Sequence, residues 1–207
     1  MASEDAKHVA DADAKGRILR EAVQLFARKG FEATPVREIV QAAEVTKPTL
    51  YYHFGSKEGL GHAILTEARV KMEDYLREGT AGIDGAFEKL VGFVDAHFRG
   101  CIADRDLALL LYGVSFSPEE AALTLDVQRF REGARAMLDE ILHEAAREGV
   151  VKGELEEEAA LILMGIINIH LMHYLKLGLE LSRERAVRAV ELFLQGVGKD
   201  TGKTSAL

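Results

Sequence analysis

The chain has 207 residues, of which 48% are hydrophobic and 29% are charged, so it is long and apolar enough to fold around one or two packed cores. Its 3 Pro favour long helices, and its 1 Cys, Cys101, excludes an internal disulfide and favours a reducing cytoplasm. The formal net charge of −8 argues against a nucleic-acid binder unless the charge is unevenly distributed. No apolar stretch opens the chain, so we expect no signal peptide.

The charge is unevenly distributed. Residues 15–57 carry 8 Lys or Arg against 4 Asp or Glu, residues 58–207 carry 17 against 26, and residues 1–14 carry 1 against 4. A basic excess is therefore confined to one segment, where it suits contact with phosphate. The acidic remainder would be repelled by DNA, which helps to keep DNA away from the wrong face.

The N-terminal part begins with a polar segment and continues with a helix. Residues 1–14 mix Ala with Asp and are predicted to form a disordered arm. The segment from Lys15 to Lys29 has apolar residues at helical spacing and is followed by Gly30, which predicts the first helix.

Two short helical patterns follow, separated by three residues. The first runs from Pro35 to Ala43, with Thr34 as its predicted N-cap and Pro35 in its first position. The second runs from Lys47 to Phe54, with Thr46 as its predicted N-cap and only Leu50 and Phe54 as core residues. Helix, short turn and helix form the layout in which the second helix enters the major groove of DNA.

The remaining side chains of the second short helix suit DNA. Lys47 can reach a phosphate or a guanine edge, Thr49 a thymine methyl group, and the hydroxyls of Tyr51 and Tyr52 can reach phosphates. On the pattern alone, a solvated helix in an ordinary helical bundle explains these residues equally well.

Residues Ile18 to Leu60 resemble the DNA-binding domain of the TetR family of bacterial transcriptional regulators. The most specific part of the resemblance is the run Tyr51-Tyr52-His53-Phe54, followed by Ser56-Lys57-Glu58. The resemblance implies that DNA is contacted by Arg37, Thr46, Lys47, Pro48, Thr49, Tyr51, Tyr52, His53 and Lys57, with Lys57 on a phosphate. The chain departs from the family at Glu44, where a Gly is usual, so we expect a strained backbone with positive φ there.

The rest of the chain is predicted as helix after helix. The predicted ranges are 57–78, 85–99, 104–113, 117–148 (opened by a capping box at Ser117 to Glu120), 154–177 and 183–198. The predicted fold is therefore all-α, with about nine helices. Its predicted parts are an arm (1–14), a three-helix helix-turn-helix DNA-binding domain (15–57), a helical effector-binding and dimerisation domain (58–198) and a tail (199–207).

The segment from Glu154 to Leu177 is apolar on nearly all sides. A membrane span is disfavoured because Asn168, His170 and His173 interrupt it. The pattern instead predicts a helix buried on one side in its own subunit and on the other side against a partner. The resemblance implies a homodimer through the last two helices, with two recognition helices about 34–36 Å apart on a palindromic operator.

The resemblance also implies that the C-terminal domain binds a small molecule. Polar or aromatic groups embedded in apolar helices are the candidates: His97, Tyr112, Phe116, Asn168 and His173. Each could equally be an ordinary core residue or a satisfied buried polar group. His170 and His173 are three apart, and His97 could supply a third ligand, but no Cys or carboxylate at ligand spacing accompanies them, so we predict no metal and no cofactor.

We therefore predict a cytoplasmic transcriptional regulator, a repressor released from its operator by a small-molecule effector. One alternative is an activator or an effector-independent DNA binder. Another, from a different class, is a helical small-molecule carrier or enzyme with a vestigial DNA-binding domain. The sequence has no Gly-x-Gly-x-x-Gly, Gly-x-Ser-x-Gly or phosphate-loop motif, so we do not expect an enzyme.

Overall fold

The computed structural model describes residues 2–116 and 123–198, and the regular structure in these ranges is helical. The helices are α1 Ala2–Lys29, α2 Val36–Ala42, α3 Lys47–Phe54, α4 Lys57–Thr80, α5 Ala86–Ala103, α6 Arg105–Phe116, α7 Thr124–Arg147, α8 Glu156–Leu177 and α9 Arg183–Gly198, with a 3-10 turn at Gly153–Leu155. This confirms the predicted all-α fold class. The predicted capping box at 117–120 and the predicted tail, 199–207, lie outside the described residues.

The chain forms two compact units. Unit 1 comprises Met1–Arg69 and Asp104–Phe130, and unit 2 comprises Val70–Ala103 and Arg131–Leu207. Helices α4 and α7 each contribute residues to both units. The predicted DNA-binding and effector domains, 15–57 and 58–198, are defined by role rather than by packing, and they remain predictions.

Helix α1 is longer than predicted. It begins at Ala2 instead of Lys15, so the prediction of a disordered arm over residues 1–14 is wrong. Ala is the strongest helix former, and acidic side chains near a helix N-terminus interact favourably with the helix dipole. The mixture of Ala, Asp and Glu in this segment is therefore compatible with a helix that continues into the buried stripe beginning at Ala14 and Ile18.

Thr34 has a different role from the one predicted. Its hydroxyl donates to the carbonyl of Gly30 at 2.7 Å, and α2 begins after Pro35 without a side-chain cap. A carbonyl at the end of a helix has no partner within that helix, and the fully buried Thr34 satisfies the one at the end of α1. Thr34 therefore closes α1 rather than opening α2.

The buried apolar residues described in unit 1 form one cluster. Phe31, Leu50 and Leu60 have no exposed surface, and Leu110 of α6 and Leu123, just before α7, belong to the same core. The core contains Ile18, Ala22, Leu25, Phe26, Phe31, Ile39, Val40, Ala43, Leu50, Leu60, Ile64, Leu65, Leu110, Val114, Leu123 and Val127. The segment after Asp104 is thus part of the packing that supports α3.

Unit 2 is built around α5, which packs against α8 and α9. Leu90, Phe93 and Phe98 of α5 are fully or almost fully buried. The first free N–H of α5, at Ala86, donates to the carboxylate of Glu148 at 3.0 Å, so a side chain from the turn after α7 satisfies the start of α5.

Glu44 has the positive φ that the sequence predicted, at 52°. A non-glycine residue in this region costs roughly 1–2 kcal/mol, whereas glycine adopts it freely. We predict that Glu44→Gly raises the free energy of unfolding by up to about 1 kcal/mol, because the relief of strain exceeds the added entropy of the unfolded chain. Urea unfolding of this variant and of a Glu44→Ala control, which keeps the strain, measures the effect. A glycine variant no more stable than the alanine variant would contradict the strain.

Candidate DNA-binding surface

Helix α3 is short and is held by its inward side. It contains eight residues, of which Leu50 is fully buried and Phe54 packs against the core of unit 1. Helix α2 lies alongside α3 and contributes the buried Ile39 to the same core. The two helices and their turn form the predicted helix-turn-helix.

The N-terminal end of α3 is fixed by two threonines. Thr46 is the N-cap, as predicted, and its Oγ1 accepts from the Thr49 N–H at 3.4 Å. The hydroxyls of Thr46 and Thr49 also lie 2.8 Å apart, within hydrogen-bond distance. Pro48 follows in the first turn, where its missing N–H leaves no helical bond unmade. The cap and the hydroxyl pair together restrain the N-terminal end of α3.

The other predicted contact residues of α3 lie on or near its outward face. Lys47 and Pro48 are exposed, and the exposed fractions of Tyr51 and Tyr52 are 46% and 77%. Thr49 is half-buried. So is His53, whose ring packs edge-on against Tyr52 at a centroid distance of 5.1 Å and lies near Phe54. The outward face therefore combines a cation, hydroxyl groups and two phenol rings.

The cations near this face fall into two groups. Arg37 and Lys47 are exposed, and neither side chain has a hydrogen-bond or ion-pair partner among the described residues. Arg17 donates from Nε to the carbonyl of Ala43 at 3.1 Å and also pairs with Asp13, and Lys29 pairs with Glu38. Arg37 and Lys47 are thus available for phosphate, whereas Arg17 ties α1 to the turn that precedes α3.

Lys57, like Arg17 and Lys29, has partners within the protein. Its ammonium donates to the carbonyls of Phe31 and Glu32 at 3.1 and 3.3 Å and lies 4.5 Å from the centroid of the Phe31 ring. The side chain is only 16% exposed. No local pattern predicts these contacts, because they join residues that are 25 and 26 positions apart.

A sequence profile described as "Bacterial regulatory proteins, tetR family" matches residues 18–64, the segment that contains α2 and α3. The chain belongs to the TetR family. It is a DNA-binding transcriptional regulator, as the resemblance of α3 and its flanking residues implied.

Similarity to other regulators extends over most of the chain. The HTH-type transcriptional regulator YvkB of Bacillus subtilis is 26% identical over 192 residues, which cover 89% of this chain and 97% of that protein. The HTH-type transcriptional repressor KstR2 of Mycolicibacterium smegmatis is 26% identical over 151 residues, which cover 70% of this chain and 71% of that protein. The structure of the fatty acid degradation regulator FadR from Bacillus halodurans matches with a TM-score of 0.75 and 26% identity, over 88% of this chain and 98% of that chain.

The predicted ligand-binding residues of this TetR-family regulator have different surroundings. Tyr112 is half-buried in α6 and belongs to unit 1, whereas His97, Asn168 and His173 belong to unit 2. His97 is buried, His173 is half-buried and Asn168 is exposed. The side chain of Phe116 lies outside the described part of the structure. The predicted set therefore does not form one cluster within a single unit, and its role in binding a ligand remains a prediction.

Unit 2 also contains an open groove of about 240 Å³, whose described lining residues do not include His97, Tyr112, Asn168 or His173. Two of its lining residues, Lys89 and Glu144, form an ion pair in which the ammonium lies 2.6 and 2.7 Å from the two carboxylate oxygens. The lining also contains Arg77 and Glu140, so its two cations and two carboxylates balance and the groove does not indicate a charged ligand.

Helix α8 has apolar side chains on two opposite sides. One side is buried in unit 2 through Leu163, Ile167 and Leu171, whereas the other exposes Leu161 and Ile169, with exposed fractions of 69% and 43%. The exposed Asn168 belongs to this second side. By length and composition alone α8 could cross a membrane, a test that the core helix of a soluble protein also passes. The exposed side is therefore an apolar surface that the described residues of unit 2 leave uncovered.

His97 is a buried neutral group. Its Nδ1–H donates to the carbonyl of Phe93 at 2.9 Å, which assigns the proton to Nδ1 because a carbonyl can only accept. Burial lowers the pKa of His97 below its ordinary value of 6.5, and the hydrogen bond to Phe93 opposes this shift only in part.

The lowered pKa of His97 makes stability depend on pH. Below pH 6.5 the unfolded chain binds this proton more readily than the folded chain, so the stability that neutral His97 contributes is present above that pH and is lost as the pH falls toward the folded pKa. We predict that the free energy of unfolding, measured by urea denaturation, falls on acidification from about pH 7.5 to about pH 5, and that it falls less in His97→Gln. The same pH dependence in both proteins would contradict the burial of a neutral imidazole.

Proposed function

We propose that this regulator is a cytoplasmic repressor that binds a palindromic operator as a homodimer and is released by a small-molecule effector. The main support for this proposal is the exposed face of α3. Leu50 fixes the helix through its buried side chain, and the helix exposes Lys47, Tyr51 and Tyr52. The major groove of DNA accommodates a short helix that exposes a cation, hydroxyl groups and aromatic rings.

Each predicted contact residue has a distinct role in this proposal. Lys47 contacts a phosphate or the O6 and N7 atoms of a guanine, and Thr49 packs its methyl group on a thymine. The hydroxyls of Tyr51 and Tyr52 donate to phosphates, which fix the position of the helix without reading sequence. Arg37 adds a phosphate contact from the start of α2. Thr46, Pro48 and His53 complete the proposed contact surface at the two ends of α3.

The names of two relatives support repression and suggest the chemistry of the effector. KstR2 of Mycolicibacterium smegmatis is a repressor, and FadR of Bacillus halodurans regulates fatty acid degradation. We take the effector to be a largely apolar acyl compound that binds the C-terminal domain and prefers the conformation that fits DNA poorly. A coupling of about 1–3 kcal/mol would change operator affinity roughly 5–150-fold. If long-chain acyl compounds raise neither the melting temperature nor the operator dissociation rate, this effector class is wrong.

The exposed side of α8 supports the homodimer. Leu161, Ile169 and Met172 are 69%, 43% and 40% exposed, and Leu192 of α9 is 52% exposed. Burying such side chains contributes roughly 25 cal/mol per Å² of apolar surface, and a second copy of the same surface supplies the cover. A two-fold dimer then offers two copies of α3 to the two halves of a palindrome.

Substitutions on α3 test the DNA contact. A DNA duplex is first selected from a randomised library with the wild-type protein. We predict that Lys47→Met weakens binding to this duplex and reduces the slope of log K against log salt by about 0.9 per subunit, because one phosphate-neutralising cation is lost. Tyr51→Phe should weaken binding with little change in slope, because it removes a hydroxyl and keeps the ring.

The matched control is Lys71→Met, which removes an exposed lysine from α4 in unit 2. Fluorescence anisotropy at several salt concentrations measures all three variants against the wild type. Wild-type affinity and slope in both α3 variants would exclude this face from the interface.

An acidic residue on the exposed side of α8 tests the dimer. We predict that Ile169→Glu produces monomers in sedimentation velocity, because a carboxylate would have to be buried in the interface without a partner. Val70→Glu is the control, since Val70 is a comparably exposed apolar residue, at 46%, on α4. A wild-type protein that sediments as a monomer, or an Ile169→Glu variant that remains a dimer, would reject this surface as the interface.

A further inference from the structure

His97 is a polar side chain in an apolar environment. Among the described residues of unit 2 it is the only polar or charged one that is buried, with an exposed fraction of 5%. Phe93, Val94 and Cys101 lie on the same face of α5 and are buried as well, and the Phe93 ring lies 4.6 Å from the imidazole, centroid to centroid. A polar group in such surroundings destabilises the fold unless both of its polar atoms find partners.

The described protein uses only one of the two imidazole nitrogens. Nδ1–H donates to the carbonyl of Phe93 at 2.9 Å. A neutral imidazole has a single N–H, so Nε2 carries a lone pair and can only accept. No described residue donates to Nε2. Burial also lowers the pKa of His97, which favours this neutral form at physiological pH.

Nε2 is within reach of a small donor, because the protein does not enclose this atom completely. A water molecule suits the position poorly. An internal water makes two to four hydrogen bonds, whereas His97 is the only buried polar side chain that the described part of unit 2 offers. A donor attached to an apolar body suits it better, because the body can pack on the apolar neighbours while the donor satisfies Nε2.

The surroundings of His97 also exclude charged groups as the donor. A carboxylate would set its lone pairs against the lone pair of Nε2. An ammonium could donate, but it would lose its hydration with no buried carboxylate among the described residues of unit 2 to compensate. The group that fits is therefore neutral and donates a hydrogen bond, as a hydroxyl or an amide N–H does.

We propose that Nε2 of His97 accepts a hydrogen bond from a neutral hydroxyl or amide N–H of the effector, and that this bond selects among apolar acyl compounds. The inference rests on the proposed release by a small-molecule effector, and it narrows the effector class. Acyl compounds that carry such a donor are preferred over those that end in a free carboxylate or carry no polar group beyond the ester.

The test uses pairs of probes that differ in one donor. One pair is decanamide and its N,N-dimethyl derivative. The others are methyl decanoates with a hydroxyl near either end or in the middle of the chain, each paired with its O-methyl ether. Isothermal titration calorimetry measures their affinities for the full-length wild type and for His97→Phe, His97→Gln and His143→Phe. The last is the control, because the side chain of His143 in unit 2 is 68% exposed.

At least one donor probe should bind the wild type about tenfold more tightly than its methylated counterpart, the order of one net hydrogen bond. His97→Phe keeps an aromatic ring without an acceptor, so it should abolish this preference while the methylated probe binds as before. His97→Gln places a carbonyl oxygen near the position of the imidazole and should retain most of the preference. His143→Phe should behave as the wild type does.

Three results would overturn the inference. The first is a donor preference that persists in His97→Phe. The second is an equal loss of affinity for both members of a pair in that variant, which would make the imidazole a packing residue only. The third is a wild-type protein that binds no donor probe more tightly than its counterpart. Failure of the proposed function is a separate outcome, in which a donor probe binds through His97 but leaves the affinity for the selected duplex unchanged.

Discussion

The arrangement of unit 1 depends on how an eight-residue helix is held in place. A helix of this length is not stable alone in water. Burying one leucine contributes about 2 kcal/mol, so the fully buried Leu50 is a substantial anchor, and it leaves the rotation and tilt of α3 to other contacts. The Thr46 cap restrains one end, and just beyond the other end Lys57 donates to the carbonyls of Phe31 and Glu32. Because so few residues are needed to hold the helix, most of its surface is available to DNA.

Local signals in the sequence were sufficient to predict α3 itself. Apolar spacing identified Leu50 and Phe54 as its inward side, and the residue types at its start identified Thr46 as its cap. The spacing and the cap are determined within about four residues of the chain. The positive φ of Glu44 followed instead from the resemblance to the TetR family, in which a Gly is usual at this position.

Contacts between distant segments could not be predicted from the sequence. Lys57 has the appearance of a surface lysine until the fold brings the carbonyl of Phe31, 26 residues away, to its ammonium. Arg17 likewise finds the carbonyl of Ala43 only in the folded chain. Thr34 lies between α1 and α2, so its hydroxyl could close the end of α1 or cap the start of α2. Apolar periodicity does not decide between these two roles. The buried Leu123, far along the chain from α3, joins the same core only through tertiary packing.

In the proposed complex, two copies of α3, held by their inward sides, present their outward faces to DNA one helical turn apart. Hydroxyl-radical footprinting of the selected duplex measures this spacing. We expect two protected patches on one face of the DNA, with centres about 10 base pairs apart, and loss of both patches when the outward face of α3 is altered. A single patch, or two patches that persist unchanged after Lys47 and Tyr51 are both replaced, would contradict it.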